Sequence, residues 1–127
     1  MKTRTTGEGE GQAAVELALA LPLLAVLLLA LVQLGLLARD QVLVVHAARE
    51  AVRQAAVDPS TDAAKRAAAG SSGLLPGRLD VSLSGRGAPG SRVRATVRYR
   101  APTEVPLVGA MVGDFQLSAE ATMRVEK

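Results

Sequence analysis

The chain has no cysteine and no tryptophan, and its only aromatic residues are Tyr99 and Phe115. Without cysteine there is no disulfide framework, no thiol nucleophile and no thiolate metal site. A folded domain in this chain must therefore hold by packing or by assembly with neighbours. With so few aromatics, its core must be made of Ala, Val and Leu, and such a core is thin. Histidine occurs once, as His46, amid Ala and Arg on a helical stretch. A lone histidine without an acidic cluster is a poor metal site, and Glu50 four residues on makes a helix-surface pair its ordinary role. No G-x-S-x-G motif is present and the carboxylates are scattered. Gly7, Gly9 and Gly11 spell G-x-G-x-G, but they precede no strand-to-helix unit and lack a phosphate-binding lysine. No catalytic constellation is left, so neither an enzyme nor a cofactor, metal or small-molecule substrate is expected.

Acidic residues are slightly outnumbered: 15 Lys and Arg against 12 Asp and Glu give a net charge of +3, carried mostly by arginine. The arginines are dispersed and accompany no RRM, zinc-finger or helix-turn-helix pattern, so nucleic acid is not the expected partner. An anionic surface such as lipid headgroups or cell-wall polymer accounts for the balance equally well.

What the chain has in abundance is one apolar run. From Leu17 to Val32 every residue is apolar or proline, and the run passes Gln33 to reach Leu37. A helix over Leu17–Ala38 is about 33 Å long at 1.5 Å per residue, enough to span a hydrocarbon core. Pro22, near its start, is compatible with a mild kink. A cleavable secretory signal would have a shorter apolar centre followed by an A-x-A site, and Leu36-Leu37-Ala38-Arg39 is a poor match. Two readings remain, an uncleaved anchor and a segment cut ahead of the apolar run. Lys2 and Arg4 favour a cytoplasmic N-terminus, a contrast that Arg39, Arg49 and Arg53 blur.

One carboxylate, Glu16, lies in the first turn of the run. A charge in hydrocarbon costs about 2.5–3.5 kcal/mol at a helix centre and less near the interface, so it calls for a partner. A cut after Gly11 would make Gln12 the first residue and Glu16 the fifth. The new α-amine would be largely cationic at neutral pH, and two opposite charges ~4 Å apart attract by about 4 kcal/mol at an effective dielectric of ~20. Residues one and five are a helical turn apart, so the pair can form within a chain. Formed between chains, it would set a stagger. On a plain anchor, Glu16 would instead snorkel to the headgroups.

The remainder divides by composition. Residues 1–11 are polar and glycine-rich and are expected to be disordered; 12–38 form the transmembrane helix; 39–57 continue that helix into water; 58–127 form a small α+β head outside the cytoplasm. Ala47, Ala51 and Ala55 make a stripe of small residues at i, i+4 and i+8, suited to close approach by a helix or sheet; good helix propensity alone would also explain them. Asp58-Pro59-Ser60-Thr61 breaks the helix. A short helix over Asp62–Ala69 follows, capped by Ser60 or Thr61 and ended by Gly70-Ser71-Ser72-Gly73. Three period-two stretches then predict strands at Leu79–Ser84, Arg92–Arg100 and Gln116–Glu126, a small antiparallel sheet that needs a helix to cover it. The second presents Arg92, Arg94, Arg98 and Arg100 on its polar face. The connection from Ala101 to Asp114 carries Pro102, Pro106, Leu107, Val108, Met111 and Val112. It is expected to fold back over the sheet edge, the alternative being a patch for a partner or a membrane.

The stretch Gly11-Gln12-Ala13-Ala14-Val15-Glu16-Leu17-Ala18-Leu19-Ala20-Leu21-Pro22, with its Leu-rich continuation and Ala47-Ala48-Arg49-Glu50-Ala51-Val52-Arg53, resembles the TadE-like proteins. These are minor pseudopilins of tight-adherence (Flp-type) pilus systems. The resemblance covers residues 11–57, with looser agreement in the C-terminal strands; where many members carry an aromatic after the glutamate, this chain has Leu17. It implies a pseudopilin-like fold and cleavage between Gly11 and Gln12 by a prepilin peptidase. It also implies a single-pass membrane form with the head outside the cytoplasm, Glu16 acting in assembly, and partnership with other pilin-like subunits and the pilus machinery. The competing expectation is an uncleaved, membrane-anchored binding module that uses the arginine face of the sheet.

Overall fold

Helix α1 runs without interruption from Gly7 to Val57, 51 residues or about 77 Å, in the computed structural model, which describes residues 7–85 and 87–126. It passes through Pro22, whose missing N–H leaves the Ala18 carbonyl without its usual donor. Residues 36–58 contain neither glycine nor proline. Pro59 then disfavours helical backbone at Asp58, and the last helical bond is donated by Asp58 N to Gln54 O at 2.8 Å.

Helix α2, Thr61–Ser72, starts where the Ser60 hydroxyl accepts from Ala63 N at 3.3 Å, satisfying one orphan donor of the first turn. Asp62 adds a negative charge at the positive end of the helix. A three-residue turn at Pro76–Arg78 leads into β1 (Leu79–Ser84), followed by β2 (Arg92–Ala101), the five-residue helix α3 (Val108–Val112) and β3 (Phe115–Arg124). The strands form an antiparallel meander in the order β1-β2-β3, with Val81 opposite Val97 and Val97 opposite Ala119.

Alternation decides which face of the sheet is covered. Val93, Ala95, Val97, Tyr99 and Ala101 of β2 are buried, together with Leu79 and Val81 of β1. The second half of α1 packs on them with Val44, Ala47, Ala48, Ala51, Val52, Ala55 and Ala56, and α2 adds Ala64 and Ala68. The largest fully buried side chains are all valine, namely Val44, Val52, Val93 and Val97. The alanine stripe thus meets the head of its own chain: side chains this small let α1 approach closely. Strand β3 runs beside α1 in the same direction. Gln41 Nε2 donates to Ser118 O at 3.3 Å near one end, and Glu126 N donates to Ala56 O at 3.2 Å at the other.

The expected α+β architecture is present, with several corrections. Residues 7–11 are helical rather than disordered, because each residue added to an existing helix gains a hydrogen bond and Glu10 complements the positive helix end; residues 1–6 lie outside the described residues. Helix α2 extends past Ala69 through Gly70. Of Gly70 and Gly73 it is the second that takes the left-handed conformation, with φ of 71°, and its N–H closes the helix on Ala69 O. Strand β3 begins at Phe115 and ends at Arg124, one residue earlier and two residues earlier than expected. Among the described residues the one ion pair is Arg78–Asp114, so the His46–Glu50 pair is not formed. The 101–114 connection folds back only in part: Val105 is buried, whereas Leu107, Met111 and Val112 face outward.

Candidate functional site

Gly11, Gln12 and Glu16 all lie on the exposed N-terminal part of α1. Residues 12 and 16 are one turn apart on one face, and Gln12 Nε2 donates to Glu16 Oε1 at 3.5 Å. A Cβ added at Gly11 would meet nothing within 4 Å. The fold therefore gives no steric reason for glycine there, although each helical glycine costs about 1 kcal/mol relative to alanine. Three alternate glycines make this the most easily unwound end of the helix.

Beyond Glu16 the helix is bare. It is long and apolar enough to cross a membrane, and none of its most apolar window is covered by the rest of the chain. Leu19, Leu23, Leu28 and Leu34 are all more than half exposed, an arrangement costly in water and favourable in hydrocarbon. Leu29 and Ala30 are half-buried, and the first fully covered residue is Gln33, only 3% exposed, whose Oε1 has no hydrogen-bond partner among the described residues. Leu37 packs against the core cluster. Nothing in the periodicity of the apolar run marks Gln33 as a buried position.

Two carboxylates near this junction are pushed in opposite directions. Asp40 is raised above the ordinary aspartate range, chiefly by burial and further by the nearby Glu104, with Arg39 opposing. Asp114 is lowered, first by its hydrogen bond from Arg78, at 2.9 Å. Raising favours the protonated form in the folded state, so the contribution of Asp40 is greatest below the unfolded pKa of about 3.9 and is lost as pH rises through the folded value. Asp114 behaves conversely, contributing above that pKa and losing it as pH falls through its lowered value. Asp40→Asn is accordingly expected to raise the melting temperature of the detergent-solubilised protein slightly at pH 7. The gain should shrink below pH about 4, which thermal unfolding at the two pH values will show.

On the outer face of the sheet Arg92, Arg94, Arg98 and Arg100 are exposed as expected. Arg98 stands opposite Asp80 and Arg100 opposite Gln116, while Arg92 stands opposite Arg124, a like-charged pairing that weakens a sheet unless something anionic offsets it.

A bare apolar helix that carries a small α+β head on its far half fits a membrane-anchored protein. The family model described as TadE-like protein matches residues 11–53, from the glycine ahead of the apolar run to the arginine that follows the buried Ala51 and Val52. Over that span, about a third of the chain, the sequence is similar to the TadE-like proteins. No curated protein matched the chain, and no solved structure did.

Proposed function

We propose that the chain is a TadE-like minor pseudopilin. In this reading a prepilin peptidase cuts it between Gly11 and Gln12, α1 holds it in the membrane with the N-terminus cytoplasmic and the head outside, and it is then handed to a tight-adherence pilus. The observation that carries the reading is the coincidence at one point of three features. These are a glycine that the fold does not require, a carboxylate five residues beyond it at the edge of the apolar run, and the start of the family match. Gln12 and Glu16 already share a helix face, so an amine created at Gln12 would be within reach of Glu16 in its own chain. Across an interface with a neighbouring subunit, the same amine would offset the cost of placing Glu16 among apolar helices.

Glu16→Ala separates the two roles. It removes the carboxylate without touching the scissile bond, so cleavage is expected to proceed while incorporation into pili falls. Quantifying the processed subunit in sheared pili against that in membranes tests this, and unchanged incorporation refutes the charge-pair role.

The Arg92–Arg124 juxtaposition supports a second reading, an uncleaved anchor whose sheet binds an anionic partner. Salt-sensitive binding of an anionic polymer by the full-length chain, with Met1 retained, would favour it over the first.

A further inference from the structure

The connection between β2 and β3 is tightly built, yet it turns its apolar residues outward. Thr103 Oγ1 donates to Gly113 O, Gly109 N donates to Val105 O at 3.4 Å, and a Cβ on Gly109 would come within 3.3 Å of Thr103. Arg78 holds Asp114 at its far end. Despite this closure Leu107, Met111 and Val112 are 64%, 81% and 55% exposed, and Leu107 adopts a φ of 69° that non-glycine residues rarely take.

The height of this edge along α1 follows from the two backbone anchors. Strand β3 and α1 run in the same direction, with Ser118 beside Gln41. Phe115 lies three residues earlier in the strand, about 10 Å, which corresponds to roughly seven residues of helix. The start of β3, and α3 just before it, therefore stand level with Leu34, inside the apolar Leu17–Ala38 run. Separate observations agree. Helices α1 and α3 are in contact, Gln33 is buried while the residues from Leu21 to Leu28 are all exposed, and Glu104 is close enough to Asp40 to act on its titration.

We propose that the Leu107–Val112 edge is a second membrane contact. It seats in the headgroup–acyl boundary of the leaflet from which α1 emerges and fixes the tilt of the head on its helix. The occupant is lipid because the edge is continuous in height with the exposed Leu34 of the anchor itself. Charges at this rim are balanced, with Arg39, Arg78 and Arg100 against Asp40, Glu104 and Asp114, so the contact is apolar and requires no anionic lipid. The proposal rests on the reading of α1 as a membrane span.

The absence of cysteine makes the test direct. Single variants Met111→Cys, Leu27→Cys and Ala88→Cys of the full chain, labelled with nitrobenzoxadiazole, are reconstituted in phosphatidylcholine vesicles containing nitroxide-bearing lipid. A label at position 111 is expected at the ~5–10 Å depth of an interfacial apolar face, quenched by shallow nitroxide and unaffected by salt. Position 27 should be quenched by deep nitroxide, and position 88, at the far end of the head, by neither. Quenching at 27 without quenching at 111 overturns the proposal and leaves the anchor intact. A blue-shifted but unquenched label at 111 also overturns it, because protein then covers the edge. Equal quenching at 88 and 111 overturns it through a head lying flat, and no quenching at 27 removes the anchor reading together with the proposal.

Discussion

A chain carrying Gly11→Arg will be recovered from membranes uncut, its intact mass that of the full sequence, in a cell whose peptidase processes the parent chain completely. The effect is expected to be near all-or-none. It cannot be ascribed to misfolding: position 11 is exposed, a Cβ there meets nothing, and arginine is a better helix former than glycine. What changes is access to the peptide bond after residue 11, where a side chain now stands in the way of any enzyme that must approach the backbone closely. Gly9→Arg is the matched control, since it adds the same charge and bulk two residues upstream, also in open space. Normal processing of the control and none of the Gly11 variant locates the requirement at one glycine. Processing of both removes the requirement for glycine at position 11 from the account.

Ala51→Leu is expected to be the most damaging single change in the head. Ala51 is fully buried in the middle of the alanine stripe. Among the described residues no completely covered core side chain is larger than valine, with Leu74, Leu79 and Tyr99 buried to within a few per cent. Extra methylenes there must force α1 away from the sheet or from α2. Overpacking of this kind typically costs about 1–3 kcal/mol, a large fraction of the 5–15 kcal/mol that holds a typical domain. Each kcal/mol corresponds to roughly 4–8 °C in melting temperature for a domain of this size. Val57→Leu, on an exposed residue at the end of the same helix, should stay within about 0.5 kcal/mol of the parent. Thermal unfolding of the two variants in the same detergent makes the comparison. Equal melting temperatures would mean that the stripe is not where the head is held.

Periodicity was informative wherever packing follows it. The alternation of Val93, Ala95, Val97 and Tyr99 identified the buried face of the sheet, because a strand has only two faces and one must be covered. A cap for α2 at Ser60 or Thr61 was legible for a similarly local reason, a hydroxyl placed to accept from the first turn, and the structure places it at Ser60. The helical state of residues 7–11 was not, since composition argues for disorder there while propagation from a long helix acts against it. Nor was the stop at Gly73 rather than Gly70, which depends on which glycine takes positive φ. For the candidate site, spacing alone singled out Gly11, Gln12 and Glu16, and the structure adds that residues 12 and 16 share a face. The burial of Gln33 and the height of Met111 and Val112 were hidden, because both depend on how β3 lies along α1, a relation between segments more than seventy residues apart.

The central claim concerns a single bond, so N-terminal sequencing of the protein extracted from the membranes of its own cell tests it most directly. The account predicts a sequence that opens Gln-Ala-Ala-Val-Glu, from Gln12. A chain that still opens at Met1, in cells whose other prepilins are processed, would contradict it.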